Sequence, residues 1–496
     1  MGRFRSFLSY YEEPFRRSLL WVALYYMVGR KTLNASNIVD ADIWWHLRTG
    51  EWIIQHRWVP YTDSFSSYGM GRPWAAYSWL FEILVYGVNK YFGLMGLMVF
   101  VCAMSLLITA ALHDLVRTVE PRVVNSIVLT GVAMFAMAPL FTPRPWLFTI
   151  LFFIIELKIL TNVRRSRRYG MLLLLPPLFA LWANVHIQFV YGLFVLSIFA
   201  GENVISSILG RHELDDGHDQ ALPTALMALM LIVCVLAVLV NPYHFRIYLV
   251  VLDTMKLAGL YNLISELAAM EFRTLTDWFV LALTLGAAFT LGRRGGVKPL
   301  WVLLLLAGAF VAFRSRRDVW FGVIIAVVVI CYASPPIVLG ARYLLSKAQI
   351  AFISAALCIV LLLTIRVQQI SQSSLQIEVA KLFPVYAANV VEERGYAGPL
   401  YNDFNWGGYL IWRLRYLPVA IDGRSHLHDA NRVIHFAETW GGKHDWASSP
   451  ELNSARLVIG EKDVPLTQLL RLDNRFELVY EDEVGAVFIA RNTPTN

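Results

Sequence analysis

The segment DADIWWHLRTGEW, residues 40–52, places ionisable side chains directly after an apolar stretch. Asp42 and His46 are four residues apart, so on a helix they face the same side. A carboxylate at the water–lipid boundary can act as a general base toward an incoming hydroxyl group. We therefore predict Asp42 or Asp40 as the catalytic base, with His46 orienting the acceptor. Arg48 continues the polar face and is predicted to bind substrate.

Two other interpretations of the same segment stay open. Asp40 and Asp42 are separated by one residue, a spacing that also suits a divalent metal such as Mg²⁺ or Mn²⁺. We make no other cofactor prediction. Alternatively, one aspartate only caps a helix, and the tryptophans form an ordinary belt at the membrane interface.

A second group of candidates is cationic. FRSRRDVW contains Arg316 and Arg317, whose planar guanidinium groups suit bidentate contacts with phosphate. Arg144 lies between two prolines in FTPRPWLF, and His244 and Arg246 follow one another closely in NPYHFR. We predict an anion site that uses these side chains. The alternative is a set of boundary cations that extend toward water.

Polar residues at two further places are predicted to bind substrate. ANVHIQF places Asn184, His186 and Gln188 at the end of an apolar run, where polar groups are costly unless they line a wet cavity or find partners. AIDGRSHLH places Asp422 and Arg424 after a predicted strand, where loops of open α/β sheets commonly bind ligands. An interhelical polar cluster and a tight Asp-Gly turn are the respective alternatives.

The elements that position these residues are membrane helices. With 57% hydrophobic and 16% charged residues over 496 positions, the chain is too apolar for a soluble protein. Runs of about 17–25 apolar residues can cross a bilayer as helices, which satisfy their backbone groups within the segment. We predict about eleven spans, hence an α-helical polytopic membrane protein. They lie near 15–34, 93–114, 123–141, 144–163, 170–188, 189–209, 222–241, 276–292, 298–313, 318–338 and 349–366.

The distribution of basic residues predicts the orientation. Short segments on the side of the N-terminus hold most of the arginines and lysines, which is typical of the cytoplasmic side. We predict a multi-pass protein of the inner (plasma) membrane with a cytoplasmic N-terminus. The first outer loop (35–92), a second amphipathic outer loop (241–275) and the C-terminal domain are then extracytoplasmic. The basic excess reflects this topology, and no nucleic-acid partner is expected.

The predicted domains are a transmembrane domain, 1–366, and a soluble α/β domain, 367–496. The latter carries 12 basic and 16 acidic residues, a net charge of −4. Its short β-rich runs are PLYND, PVAID, RLVIG, FELVY and AVFIA, separated by helix-like stretches. The first outer loop is predicted to contain helices near 41–56 and 74–92. All four cysteines fall in apolar spans, so no disulfide framework is expected.

This layout resembles the GT-C superfamily of polytopic glycosyltransferases, which use polyprenyl-phosphate-linked sugars. The resemblance is strongest in DADIWWHLRTGEWIIQHRWVPYTDSFSSYGMGRPWAAYSWLFEILVYG, where an acid opens the loop and GEW and VPYTDSFS follow. The whole chain is also similar to an uncharacterised family of bacterial membrane proteins. RPWLF, WANVHIQF, NPYHFRIY, RSRRD, NDFNWGGYLIWRL and IDGRSHL carry that second likeness.

The superfamily resemblance implies an inverting membrane glycosyltransferase of the cell envelope that takes a lipid-linked sugar donor from the membrane on the extracytoplasmic side. It implies Asp42 or Asp40 as the base; in a metal-independent member the second aspartate is structural. The acceptor is not indicated. One alternative is a non-catalytic transporter or assembly factor for lipid-linked carbohydrate, whose outer domain binds a partner. Another is a lipid-phosphate transferase that handles no sugar. Polarity concentrated at one end of the spans favours one-sided chemistry over transport.

Overall fold

Helices form most of the chain, as its long apolar runs predict. The structure is a computed structural model that describes residues 2–118, 120, 122–208, 220–255, 264–294, 297–334 and 345–491. Part of the predicted second outer loop, 256–263, and the end of the predicted span 318–338 lie outside these residues.

The helices are numbered in chain order. Up to residue 370 they are α1 (Gly2–Thr32), α2 (Ile43–His56), α3 (Trp79–Arg117), α4 (Val123–Ala136), α5 (Trp146–Ser166), α6 (Leu175–Val185), α7 (Phe189–Ile208), α8 (Thr224–Val238), α9 (Arg246–Met255), α10 (Leu275–Arg293), α11 (Pro299–Arg314), α12 (Val319–Ala333) and α13 (Lys347–Val367). They continue with α14 (Gln372–Leu382), α15 (Val385–Glu393), α16 (Gly407–Arg413), α17 (Ala430–Trp440), α18 (Pro450–Ser454) and α19 (Pro465–Leu470). The strands are β1 (Leu400–Asn402), β2 (Leu457–Glu461), β3 (Phe476–Glu481) and β4 (Gly485–Ala490).

The chain folds as two units. The helical unit comprises Met1–Asn34, Met98–Asn241 and Ser265–Ile370. The mixed unit comprises Ala35–Leu97, Pro242–Ile264 and Ser371–Asn496. The mixed unit thus contains the first predicted outer loop and the beginning of the second, together with the C-terminal segment. The predicted domain boundary at 366/367 stays a prediction.

Several helices have the length and composition of membrane spans. Among the described residues, α3, α5, α7, α10 and α13 are long and apolar enough to cross a bilayer. Shorter apolar helices are α4, α8, α11 and the helical stretch Tyr169–Val185. Each of the predicted spans overlaps a helix. The chain therefore has the character of an integral membrane protein, whereas the number of crossings stays a prediction.

The first outer loop contains both of its predicted helices. The predicted helix 41–56 is confirmed as α2. The predicted helix 74–92 corresponds to the first part of α3: it begins later than predicted, at Trp79, and the non-helical Gly93 separates it from the second part, which continues to Arg117. The only interruption is at Gly93, whose φ of 61° and ψ of −155° suit glycine. There Gln372 Oε1 accepts a hydrogen bond from the Met95 backbone N–H at 3.2 Å.

The C-terminal segment contains a four-stranded sheet in the order β1-β2-β4-β3. β1 and β2 are parallel, whereas β4 pairs antiparallel with both β2 and β3. Buried aromatic side chains pack against the sheet, including Tyr401, Phe436, Trp440 and Phe488. Four of the five predicted strands are confirmed as β1 to β4.

The remaining predicted strand, PVAID, is wrong, because this segment does not form a strand. Val419 forms only an isolated bridge with Ser66 of the first loop. The Asn402 side chain satisfies the next backbone groups, because its Oδ1 accepts from Ala420 N and its Nδ2 donates to Ile421 O, both at 2.8 Å. These partners replace the ladder that a strand would have required.

Two glycines allow α11 and α12 to pack closely within the helical unit. A Cβ atom on Gly322 would lie 2.5 Å from the Gly308 carbonyl oxygen, and one on Gly308 would lie 3.3 Å from the Gly322 Cα. Small residues at such crossings are typical of membrane helices, where packing replaces the hydrophobic effect as the driving force.

Gly322→Ala is expected to destabilise the protein by about 1–3 kcal/mol, because the added methyl group meets backbone rather than a movable side chain. The measurement is the apparent melting temperature of the detergent-solubilised full chain. Gly286→Ala in α10 is the matched control, since its Cβ would lie 3.8 Å from Ile330 Cδ1, an ordinary contact. Equal melting temperatures for both variants would contradict the packing account.

Candidate functional site

Asp40 and Asp42 lie together at the beginning of α2. Asp42 is the N-cap residue, and its carbonyl oxygen accepts from His46 N at 3.2 Å, whereas its side chain makes no cap hydrogen bond. Asp40 Oδ1 accepts from Asp42 N at 2.8 Å. Both side chains are half-buried. Asp40 thus satisfies a backbone N–H at the helix start, a capping contact of the kind that the structural interpretation expects.

The metal prediction rests on these two carboxylates alone. Among the described residues, no group of three or more histidine, cysteine, aspartate or glutamate side chains has the arrangement of a metal site. Mg²⁺ often takes only one or two protein carboxylates and completes its coordination with water and substrate oxygens. The pair therefore suits an ion that arrives with a phosphate-bearing substrate and does not suit a site built from protein ligands alone.

His46 is buried and faces a carboxylate that the sequence did not single out. Its Nδ1 lies 3.2 Å from Glu82 Oε1, and Trp45 and Phe81 pack against its ring. Only 2% of His46 is exposed, and Glu82 is equally enclosed. In this arrangement the imidazole contacts the interior of the mixed unit. The signal for Glu82 was an acid in the first turn of an otherwise apolar helix, WLFEILVYG.

Arg48 belongs to a small charge network on α2. Its Nη1 donates to Glu51 Oε2 at 2.8 Å, while Arg415 Nη1 lies 3.0 Å from Glu51 Oε1. The guanidinium also lies 5.7 Å from the centre of the Phe65 ring. Arg48 is half-buried, so a substrate contact stays a prediction.

Asp422 and Arg424 form a buried ion cluster with Asp63. Arg424 donates from Nε and Nη2 to the two carboxylate oxygens of Asp422, both at 2.8 Å, and from Nη1 to Asp63 Oδ1 at 2.6 Å. The guanidinium lies 4.7 Å from the centre of the Trp74 ring. Burial alone would raise the pKa of Asp422, but Arg424 and then His428 hold it well below its ordinary value. Each of the three guanidinium nitrogens donates to a carboxylate of the protein, so the contacts favour a structural role.

Asp63 extends the cluster into the turn-rich part of the first loop. Its Oδ1 accepts from Phe65 N at 3.1 Å, and its Oδ2 accepts from Ser66 N at 3.0 Å and Ser66 Oγ at 2.6 Å. The next residues pair with the C-terminal segment, because Ser67 N donates to Val419 O and Val419 N donates to Phe65 O. Asp63 was not predicted, although an Asx turn in YTDSFSS was a local signal.

Gly423 places this cluster beside Asp42. A Cβ atom on Gly423 would lie 2.1 Å from Asp42 Oδ1, and one on Gly408 would lie 2.7 Å from the Ala41 carbonyl oxygen. Two glycines therefore allow α16 and the IDGRS loop to approach the start of α2. The structure thus brings together Asp42 and Asp422–Arg424, which were predicted separately.

His426 is a hydrogen-bond acceptor in the same loop. Its Nε2 accepts from Trp74 Nε1 at 2.9 Å, which requires the neutral ring with its proton on Nδ1. Partial burial, followed by the charge of Arg424, lowers the pKa of His426 to about 4. Tyr77 packs against its other side, with ring centres 5.2 Å apart.

The NPYHFR segment is held against the first loop by tyrosines. Tyr243 OH donates to Pro60 O at 2.8 Å and accepts from Ala76 N at 2.9 Å, while Tyr61 OH donates to Pro242 O at 2.8 Å. Of the predicted pair, His244 is exposed with a positive φ of 48°, and Arg246 begins α9 half-buried. Both belong to the mixed unit.

The other three candidate arginines, Arg144, Arg316 and Arg317, belong to the helical unit, and each has a carboxylate partner. Arg144 Nη2 donates to Glu266 Oε1 at 2.8 Å, and Arg316 Nη2 lies 3.1 Å from Glu271 Oε1. Arg317 Nε lies 3.5 Å from Asp318 Oδ1. The side chains of Glu266 and Glu271 are 39% and 45% exposed, so water reaches both pairs. Neither glutamate was singled out from the sequence.

A backbone pairing aligns these partners. The N–H groups of Arg316 and Arg317 donate to Ala268 O at 3.1 Å and Glu266 O at 2.9 Å. Met270 N donates to Phe313 O at 2.9 Å in the same pairing. The segment 266–270 therefore runs beside the RSRRD turn, which explains why its glutamates meet the arginines.

Asn184, His186 and Gln188 have internal partners. His186 Nδ1 lies 2.9 Å from Thr149 Oγ1, Gln188 Nε2 donates to Asp318 Oδ1 at 2.6 Å, and Asn184 Nδ2 donates to Val240 O at 2.6 Å. All three are at least nine-tenths buried. Gln188 and Arg317 share Asp318, which links this cluster to the arginines. The contacts support the interhelical polar cluster, and a substrate role stays a prediction.

Arg424→Gln is expected to lower the stability of the protein by about 3–5 kcal/mol, because it leaves two buried carboxylates without their cation. The measurement is denaturant unfolding of the solubilised full chain, followed by tryptophan fluorescence. Arg471→Gln is the matched control: Arg471 makes the same two-pronged contact with Glu481, at 2.7 Å for each bond, but in partial contact with water. Its expected cost is at most about 1 kcal/mol. Equal costs for the two variants would contradict the structural role of Arg424.

The mixed unit is expected to lose stability as the pH falls from about 6.5 to about 4. In this pH window the unfolded chain binds a proton at His426 more strongly than the folded chain does. The contribution of this histidine to the free energy of unfolding is therefore fully present above the window and is lost as the pH falls through it. His426→Gln keeps an acceptor for Trp74 without titrating, and it should flatten the fall of the apparent melting temperature. The exposed His444, changed to Gln, is the control that should leave the fall in place. An unchanged fall in His426→Gln would exclude this histidine as its source.

Comparisons with known proteins give a fold. No family model matches the chain, and no curated protein matches it. The structure is similar to the crystal structure of the Archaeoglobus fulgidus oligosaccharyltransferase in its apo form, with a TM-score of 0.53 and 13% sequence identity. That likeness covers 90% of this chain and 69% of the other.

A second solved structure is ArnT from Cupriavidus metallidurans bound to undecaprenyl phosphate, with a TM-score of 0.41 and 13% identity over 95% of this chain and 97% of that one. The oligosaccharyltransferase comparison, at 13% identity, concerns the fold alone. The chain has a GT-C-like fold.

Proposed function

We propose that this protein is a membrane glycosyltransferase that transfers a sugar from a polyprenyl-phosphate-linked donor to an acceptor on the extracytoplasmic side. The observation that carries the proposal is the likeness to an oligosaccharyltransferase over 90% of the chain, combined with half-buried Asp40 and Asp42 at the start of α2. The donor class is carried over from that superfamily. The acceptor is left open.

Asp42 is the proposed base. Asp40 already accepts the Asp42 N–H, which ties Asp40 to the geometry of the helix start. The Asp42 side chain makes no cap hydrogen bond to α2, and its Oδ1 lies beside the Gly423 backbone. Asp40 is then a positioning residue. The contacts of His46 with Glu82 support a role in fixing α2 and do not support contact with the acceptor.

The proposed reaction is a single displacement. The acceptor hydroxyl oxygen bonds to the anomeric carbon while the bond from that carbon to the phosphate oxygen breaks, and the phosphate leaves with the electron pair. Asp42 takes the hydroxyl proton. Attack on the face opposite the phosphate inverts the anomeric centre. Arg316, Arg317 and Arg144 are proposed to stabilise the charge that develops on the phosphate.

The alternative of a non-catalytic assembly factor or transporter for lipid-linked carbohydrate is favoured by one observation. Asp40 has a capping contact, and a pair of acids at a helix start needs no further explanation if both are structural. The two proposals differ in what happens when the charge of Asp42 is removed and the helix start is kept.

Asp42→Asn is expected to lower kcat by about 10²–10⁴-fold, because the amide cannot accept the proton. Asparagine has the shape of aspartate, and the Asp42 side chain makes no cap hydrogen bond, so α2 should keep its start. The measurement is transfer of label from a panel of polyprenyl-phosphate-linked sugars to membrane extract, with purified protein in lipid. Asp429→Asn is the control, since Asp429 caps α17 in the same unit by accepting from Arg432 N.

Asp42→Asn and Asp40→Asn both retaining full activity would overturn the base assignment. Wild-type protein that binds these donors and transfers none of them would favour the non-catalytic alternative.

A further inference from the structure

A groove of about 660 Å³ lies in the helical unit beside the last turn of α1. Apolar side chains form its walls: Met27 comes from α1, Met134 and Phe135 come from α4, and Phe141 follows α4. Walls of this kind suit a hydrocarbon chain. The volume lies in the range of ligand sites, about 300–1,000 Å³.

The polar end of the groove is cationic. Arg30 and Lys31, both exposed, lie in the last turn of α1, and Asn34 and Gln368 complete this end with uncharged amides. Arg30 has no hydrogen bond or ion pair with another described residue. No carboxylate lines the groove among the residues described. Its charge therefore complements an anion attached to a hydrocarbon chain.

Phosphate on a hydrocarbon chain occurs both in anionic phospholipids and in polyprenyl phosphates. A reacting donor needs a base near its sugar, yet none of the described residues that line the groove is aspartate, glutamate or histidine. The lining can hold a lipid and offers no group that would take a proton. These properties favour a lipid that is bound without being converted.

We propose that this groove binds an anionic phospholipid, with its phosphate between Arg30 and Lys31 and an acyl chain along Met27, Met134 and Phe135. Basic pockets between membrane helices hold lipid head groups in this way. The site differs from the proposed glycosyl-transfer site and does not depend on it. Occupancy would fix the end of α1 against α4.

The test measures binding of phosphatidylglycerol and of phosphatidylcholine to the delipidated full chain by native mass spectrometry. Phosphatidylglycerol is expected to bind more tightly. Each cation near a lipid phosphate contributes about 1 kcal/mol, or roughly 5-fold in affinity. Arg30→Ala combined with Lys31→Ala should therefore weaken phosphatidylglycerol binding by about 25-fold and leave phosphatidylcholine binding nearly unchanged.

Arg293→Ala is the matched control, because Arg293 is also an exposed cation in the last turn of an apolar helix, α10, and does not line the groove. It should bind phosphatidylglycerol as the wild type does. Equal affinity for the two phospholipids, or an equal loss in Arg293→Ala, would overturn the proposal. Displacement of phosphatidylglycerol by undecaprenyl phosphate with clearly higher affinity would overturn the choice of phospholipid. None of these outcomes depends on sugar transfer.

Discussion

The contact between Arg424 and its two carboxylates determines how the mixed unit is assembled. Asp63 and Arg424 are 361 positions apart in the chain, yet their side chains meet at 2.6 Å with both fully buried. A buried guanidinium is tolerated only when its donors are satisfied and its charge is balanced. Asp422 accepts hydrogen bonds from Nε and Nη2 of the guanidinium group, and Asp63 accepts one from Nη1. This requirement fixes the first loop against the IDGRS loop, and through Gly423 it fixes the surroundings of Asp42.

The same constraint explains which parts of the mixed unit could be predicted from the sequence. α2 and four strands follow from local periodicity and composition, which neighbouring residues determine. PVAID has the composition of a strand, but its backbone groups bond to Phe65, Ser67 and the Asn402 side chain. Local pattern does not reveal such competition from distant chain segments. The break in α3 at Gly93 falls where the sequence predicts the boundary between two helices, so local pattern did reveal it.

The sequence indicates which residues belong to the candidate site, but it does not indicate which of them contact one another. Asp40, Asp42, Arg144 and the two arginines of RSRRD are conspicuous because they border long apolar runs of the sequence. The glutamate partners of Arg144 and Arg316 are less conspicuous, because Glu266 and Glu271 lie in an amphipathic stretch where acids are ordinary. Which carboxylate meets which cation depends on tertiary packing, for which one sequence contains no signal. The buried roles of Arg424 and His46 were missed for the same reason.

The pairing of the arginines has a consequence for the proposed reaction. Arg144 and Arg316 each have a glutamate partner that water reaches. A phosphate that binds either guanidinium group would therefore have to displace a carboxylate. A donor phosphodiester carries one negative charge and gains little from such an exchange. The departing phosphate gains charge as the bond to the sugar breaks, and it then competes better for the guanidinium groups. Interactions that strengthen during the reaction lower the barrier, whereas equally strong binding of the donor would not. Glutamates that weaken binding of the ground state are therefore compatible with arginines that act in the transition state.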